Sequence, residues 1–178
     1  MVPSVYREHI RKADPPQVNA MRNAAGKARH ARVPAGRPGI VIGADTFLWF
    51  EGRMIGKPRS MAEAWRMLRS LRGKSHWVYT GLCLLDTRTG TERVSYDRSE
   101  VVFRKVSDAA IAEMFDAVNP LDKAGAYAVQ EDRWGLIKAI RGDKNTVIGL
   151  PVELLRQGLK ELDFSLLTTG TLGILRHK

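Results

Sequence analysis

Ile40-Val41-Ile42 is a dense run of β-branched residues, and it closes on Gly43-Ala44-Asp45-Thr46. Such side chains favour extended backbone and need a covered surface, so the run reads as a buried strand. A strand that gives way to two small residues and then an acid is expected to present one carboxylate at the carboxyl edge of its sheet. That edge is where ligands bind in open α/β sheets. Spacing alone explains Asp45 equally well as the cap of a helix or turn. Thr46 either favours the extended backbone or aims its hydroxyl at a ligand beside Asp45.

The remaining pattern interleaves helices with strands. Residues 1–16 are polar and end in the helix-breaking Asp14-Pro15-Pro16. Val18 to Arg32 reads as a helix rich in Ala, Arg and Lys, and the stretch from Val33 to Gly39 as a loop. Ile40 to Gly43 is the buried strand, Thr46 to Phe50 continues extended, and Met54-Ile55 follows a turn at Glu51-Gly52-Arg53. Ser60 and Glu63 form a capping box for a helix with Ala64, Met67, Leu68 and Leu71 on one face, ended at Gly73. Strands are expected at Ser75–Leu85 and Arg93–Arg104, and a helix from Ser107 that stops at Asn119-Pro120. Ala124 to Gln130 reads as strand-like, Leu136 to Ile140 as a returning strand, and Val152 to Leu162 as a final helix. The expected class is α/β, a mixed twisted sheet with flanking helices.

Composition narrows the function classes. The chain has 178 residues with a hydrophobic content of 44%, enough for a packed core. No apolar stretch is long enough to span a bilayer, and residues 1–12 lack the apolar middle of a signal peptide. The lone cysteine, Cys83, sits in an apolar run and reads as a buried small hydrophobe. A soluble cytoplasmic protein is the expectation. The net charge of +10 is spread along the chain without a block of like sign. That distribution argues against a nucleic-acid-binding module and for a small phosphate-bearing ligand.

Several residues suit such a ligand. Lys57 follows Gly56 and precedes Pro58, which holds it extended. Asp122-Lys123 precedes the small residues Ala124-Gly125-Ala126, where a backbone can approach a ligand closely. Gln130 carries an amide that donates and accepts, which suits a nucleobase edge. A surface lysine and ordinary strand alternation account for these residues as well. His9, His30, His76 and His177 show no metal-ligand spacing, and His76 beside Trp77 reads as structural or surface. No phosphate-binding loop, dinucleotide fingerprint or nucleophile elbow is present.

Taken together, these stretches resemble the Maf proteins, a family of nucleoside triphosphate pyrophosphatases. The resemblance is carried by Gly43-Ala44-Asp45-Thr46, Gly56-Lys57-Pro58, Leu71 to Gly81, Asp122 to Gln130 and Val147-Ile148-Gly149-Leu150-Pro151, in the family's order and spacing. It covers roughly residues 2 to 160, so a Maf-like domain is expected over 1–162 and a C-terminal tail over 163–178. What it implies is a fold of two α/β lobes around a deep cleft, acting on dTTP and UTP or related modified nucleotides and releasing the monophosphate and pyrophosphate. Asp45 corresponds to the proposed catalytic base, beside a divalent cation, Mg²⁺ or Mn²⁺, shared with Glu8. Lys27 and Lys57 match the family's lysines, and Thr46 and Gln130 match positions linked to substrate choice. Asp122 and Lys123 belong to the motif of members acting on dTTP and UTP. A homodimer is compatible with the resemblance.

The sequence departs from the family in three places. The family's opening Ser-x-Ser-Pro-Arg-Arg segment is not in this sequence, which implies either a misplaced gene start or a shortened, catalytically impaired nucleotide-binding member with a role in division control. The usual Gly-Ile-Gln reads Ala128-Val129-Gln130, and Asn145 stands one place earlier than the family's asparagine, with Thr146 in its stead.

Overall fold

The computed structural model describes residues 4–33 and 38–162. The expected tail over 163–178 and part of the Val33–Gly39 loop lie outside the described residues. In chain order the elements are α1 (Pro16–Arg29), β1 (Ile40–Phe50), β2 (Arg53–Ile55), α2 (Met61–Leu71), β3 (Ser75–Asp86), β4 (Glu92–Phe103), α3 (Asp108–Ala117), β5 (Ile137–Arg141), α4 (Lys144–Ile148) and α5 (Val152–Glu161). The five strands form one sheet in the order β2-β1-β3-β4-β5. β2 runs antiparallel to β1 with Leu48 opposite Ile55, and β5 antiparallel to β4 with Val101 opposite Ile140. The α/β class expected from the interleaved pattern is what the chain adopts.

The chain divides into two compact units; three of the four divisions fall inside the long strands β1, β3 and β4, and the fourth falls between α4 and α5. Among the described residues, the first comprises residues 4–33, 38–45, 80–97 and 150–162; the second comprises Thr46–Tyr79 and Arg98–Gly149.

In the first unit, helices cover both faces of the strands. Ala24, Ala25 and Ala28 of α1 pack on Val41 and Cys83. Leu154, Leu155 and Leu159 of α5 pack with Ile40, Ile42, Leu82 and Leu84. Successive strand residues point to opposite faces, so the apolar run Ile40-Val41-Ile42 serves both layers at once. Glycines set the α1 side. A methyl group on Gly43 would fall on the Ala24 carbonyl oxygen and come within 2.8 Å of Ala28 N, and one on Gly81 would stand 2.6 Å from Met21 N. The helix therefore lies directly on the strand backbone. Cys83 is fully buried, and burial pushes its thiol up to about 11, as fits a small hydrophobe.

The second unit packs α2 and α3 around Leu48, Phe50, Leu68, Leu71, Val78, Phe103, Ile111 and Met114. α2 starts as its capping box indicates. Ser60 Oγ accepts the Glu63 N–H at 3.2 Å, although Glu63 reaches back to the N–H of Arg59, at 2.8 Å. In place of the strand expected at Ala124–Gln130 there are two 3₁₀ turns, Ala124–Ala126 and Val129–Glu131, and a third at Pro120–Asp122 precedes them. Gly125 and Ala126 adopt φ of 71° and 67°, which an extended strand does not permit. A short helix, α4, also forms between the returning strand and α5. Asp143 caps it by accepting the Asn145 N–H at 2.8 Å, and Gly149 closes it in the left-handed region.

His76 lies inside this core, 1% exposed, with its Nε2 2.6 Å from the Tyr127 hydroxyl. Burial pushes its pKa down to about 4, against a weaker upward pull from Glu100. The unfolded chain therefore takes up a proton between pH 6.5 and 4 that the fold refuses. Stability is full above 6.5 and falls as the pH drops through that window, by about 3 kcal/mol from this group. The expected result is that urea midpoints measured from pH 7.5 to 4.5 fall more steeply in the wild type than in His76→Phe, the difference isolating His76 from the carboxylates.

Candidate active site

Asp45 is not at a strand end. β1 continues unbroken to Phe50, and Val41, Gly43, Asp45 and Phe47 alternate as its buried positions. The sheet-edge argument therefore does not apply, and neither does a capping role. Asp45 is instead a carboxylate on the buried face of a mid-sheet strand, 5% exposed. Such a group costs several kcal/mol unless it is paired and hydrogen-bonded.

α1 supplies the partners. Asn19, Asn23 and Lys27 recur every four residues and share one side of the helix. Lys27 Nζ lies 2.6 Å from Asp45 Oδ1, and Asn23 Nδ2 donates to Asp45 Oδ2 at 2.9 Å. The close seat of α1 on Gly43 brings this polar row within reach of Asp45. Lys27 Nζ also lies 2.7 Å from Glu8 Oε1, so one ammonium joins the two carboxylates. Asn23 Oδ1 accepts the His9 N–H at 3.1 Å and the Tyr6 hydroxyl at 3.3 Å, thereby fixing the residues on either side of Glu8. Asn19 accepts the Arg11 N–H at 2.8 Å and donates to the Arg11 carbonyl at 3.0 Å. Two fully buried asparagines thus tie the polar N-terminal segment to the helix. Sequence reasoning missed Asn23, although the four-residue spacing of Asn19, Asn23 and Lys27 was there to be read.

The electrostatics follow from this packing. Burial raises the Asp45 carboxyl above its ordinary value; Lys27 and the Asn23 hydrogen bond oppose the rise, and Glu8 adds to it. Burial acts to lower Lys27, but Asp45 and Glu8 together outweigh it and hold the ammonium charged. The result is a carboxylate of enhanced proton affinity beside a fixed positive charge. That combination can accept a proton from water and offset negative charge that develops nearby.

The other expected site residues belong to the second unit. Thr46 follows Asp45 on β1, and a methyl group on Gly149 would stand 3.2 Å from its Oγ1, so the Gly149 turn lies against it. The Gly125 N–H donates to the Gly56 carbonyl at 3.0 Å, which joins the loop carrying Lys57 to the turn after Lys123. The Lys57 side chain is exposed. Lys123 Nζ pairs with Asp122 Oδ1 at 3.0 Å. Gln130 is exposed and lines a cavity of about 670 Å³ with Trp134, Arg133 and Lys144 among its walls; the Arg133 guanidinium lies 4.5 Å from the Trp134 ring centre. The structure therefore brings Glu8, Lys27 and Asp45 together in the first unit. In the second it joins the Lys57 loop to the Ala124–Ala126 turn.

The Maf-like protein family model matches residues 1–162. A dTTP/UTP pyrophosphatase of Thermococcus kodakarensis is 38% identical over 94% of this chain and 87% of its own length. One from Gloeobacter violaceus is 39% identical over 90% of this chain and 83% of its own length. One from Moorella thermoacetica is 40% identical over 84% and 77%. With the matched region holding the paired Glu8, Lys27 and Asp45, the chain belongs to the Maf-like protein family.

Proposed function

We propose that the protein is a nucleoside triphosphate pyrophosphatase acting on dTTP and UTP or related modified nucleotides. The observation that carries this reading is the buried Asp45 carboxylate, oriented by Asn23 and joined through Lys27 to Glu8. The relatives' activity supports the substrate class, and a net charge of +10 favours the approach of a polyanion.

In this reading Asp45 takes a proton from a water molecule. The water oxygen forms a new bond to phosphorus while the bridging P–O bond breaks, and pyrophosphate leaves with the bond's electrons. Lys27 offsets charge on the phosphate oxygens. Lys57 supplies a second cation, and Thr46, Asp122, Lys123 and Gln130 are the groups proposed for substrate choice, Gln130 by pairing its amide with a pyrimidine edge.

Mg²⁺ or Mn²⁺ is the proposed cofactor. Among the described residues no group of three or more His, Cys, Asp or Glu side chains could hold a metal. The Asp45 and Glu8 carboxylates, already sharing one cationic partner, suit an ion that takes one or two protein carboxylates and completes its shell with water and phosphate oxygens. Such an ion would neutralise phosphate charge when bound.

The experiment is pyrophosphate release with Mg²⁺, comparing dTTP and UTP with ATP and GTP; the pyrimidine substrates should be preferred, and absence of release from all four would overturn the reading. Lys27→Gln gives a second check. Turnover needs ionised Asp45, so the rate falls as the pH drops through its pKa. Without the Lys27 charge that pKa rises further, and the acid limb of kcat/KM should move to higher pH.

A further inference from the structure

A buried hydrogen bond joins two of the sequence's matched stretches and has no part in the chemistry described so far. His76 on β3 and Tyr127 are 1% and 7% exposed, and their side chains meet at 2.6 Å. Phe103 packs edge-on against both rings, with centroids 5.1 Å from His76 and 4.8 Å from Tyr127. Tyr127 directly follows the only two consecutive positive-φ residues between Asp122 and Gln130. Ala126, at φ 67°, is not a glycine and holds a conformation that costs about 1 kcal/mol or more. A segment bent in this way keeps its shape only if its surroundings fix it. Three contacts do so: the Gly125 N–H on the Gly56 carbonyl, the Ala126 N–H on the Lys123 carbonyl at 3.1 Å, and the Tyr127 hydroxyl on His76. Of these three hydrogen bonds only the last is made through side chains. His76 Nδ1 is buried with no hydrogen-bond partner among the described residues, so the ring gives up one polar contact while its other nitrogen meets Tyr127.

We propose that His76 is a positioning residue: through the Tyr127 hydroxyl it fixes the Lys123–Gln130 segment in the shape that receives the nucleotide. The inference rests on the pyrophosphatase reading, since that reading gives the segment its ligand. His76 itself touches no substrate, so its loss should weaken nucleotide binding and leave the chemical step intact.

The test uses the full chain with UMP as the binding probe and UTP as the substrate. Tyr127→Phe keeps the ring and removes the hydroxyl; His76→Phe removes the nitrogen partner. Each should raise the UMP Kd and the UTP KM by about tenfold, with kcat within about twofold of the wild type. The double variant should be no worse than either single one. His76→Gln keeps a polar atom near Nε2 and should recover most of the affinity. If Tyr127→Phe and His76→Phe lower the melting temperature but leave Kd and KM unchanged, the pair is a core bond only and the inference fails. Unaltered UMP binding in both variants with normal wild-type turnover defeats the inference alone. A wild type that binds no UMP and releases no pyrophosphate defeats the pyrophosphatase reading with it.

Discussion

Asp45→Asn is expected to lower pyrophosphate release from dTTP and UTP by about a thousandfold, in line with the loss of a positioned general base. The substitution is close to isosteric. The new amide oxygen can still accept from Asn23 or Lys27, which now hold the carboxylate at 2.9 and 2.6 Å. What disappears is a group that can take a proton. Burial already disfavours the Asp45 charge, so the fold should tolerate the neutral side chain and melt within a few degrees of the wild type. A coupled phosphate assay at saturating Mg²⁺ reads the rate. A variant within threefold of the wild type would remove Asp45 from the role of base.

The second large effect lies in a residue with no side chain. Gly43→Ala should destabilise the protein by about 3 kcal/mol, because the new methyl meets the Ala24 carbonyl oxygen and Ala28 N, backbone atoms that cannot swing away. The helix must move off the strand, and α1 is the element that carries Asn23 and Lys27 to Asp45. Loss of stability and loss of turnover should therefore appear together. Gly39→Ala is the control, since a methyl there meets nothing within 4 Å. Urea unfolding checks the first part and pyrophosphate release the second. Equal midpoints for Gly43→Ala and Gly39→Ala would show that α1 does not depend on the close approach.

These two positions also show what could be read from the sequence. Ile40-Val41-Ile42 identified a buried strand, and the ordered motifs identified the family. The Ser60 cap and the left-handed Gly73 were legible from local chemistry, because a hydroxyl at a helix start and a glycine at its end satisfy specific backbone groups. Three features were not legible. Gly43-Ala44-Asp45 looked like the end of a strand, because small residues and an acid usually interrupt one; only the closeness of α1 makes a buried acid tolerable in the middle of β1. Ala124 to Gln130 alternates in a way that suggests a strand, but its backbone turns at Gly125 and Ala126, and non-local contacts with Gly56 and His76 hold it there. The role of Asn23 is the third: the four-residue spacing of Asn19, Asn23 and Lys27 is visible in the sequence, but its meaning comes from the strand that side of the helix faces.

The same comparison explains why Glu8 could be named from the family resemblance and understood only from the structure. Nothing in its polar neighbourhood predicts order. The order comes from Asn19 and Asn23, whose buried amides satisfy the backbone of residues 9 and 11 and so hold the chain directly after Glu8, whose carboxylate meets Lys27.

In the proposed reaction Asp45 drives the cleavage of a nucleoside triphosphate to the monophosphate and pyrophosphate. Phosphorus NMR of UTP incubated with the purified protein and Mg²⁺ tests it most directly. The UMP and pyrophosphate signals should grow together in the wild type and be nearly absent in Asp45→Asn. Appearance of UDP with inorganic phosphate, or the same product growth in both proteins, would contradict it.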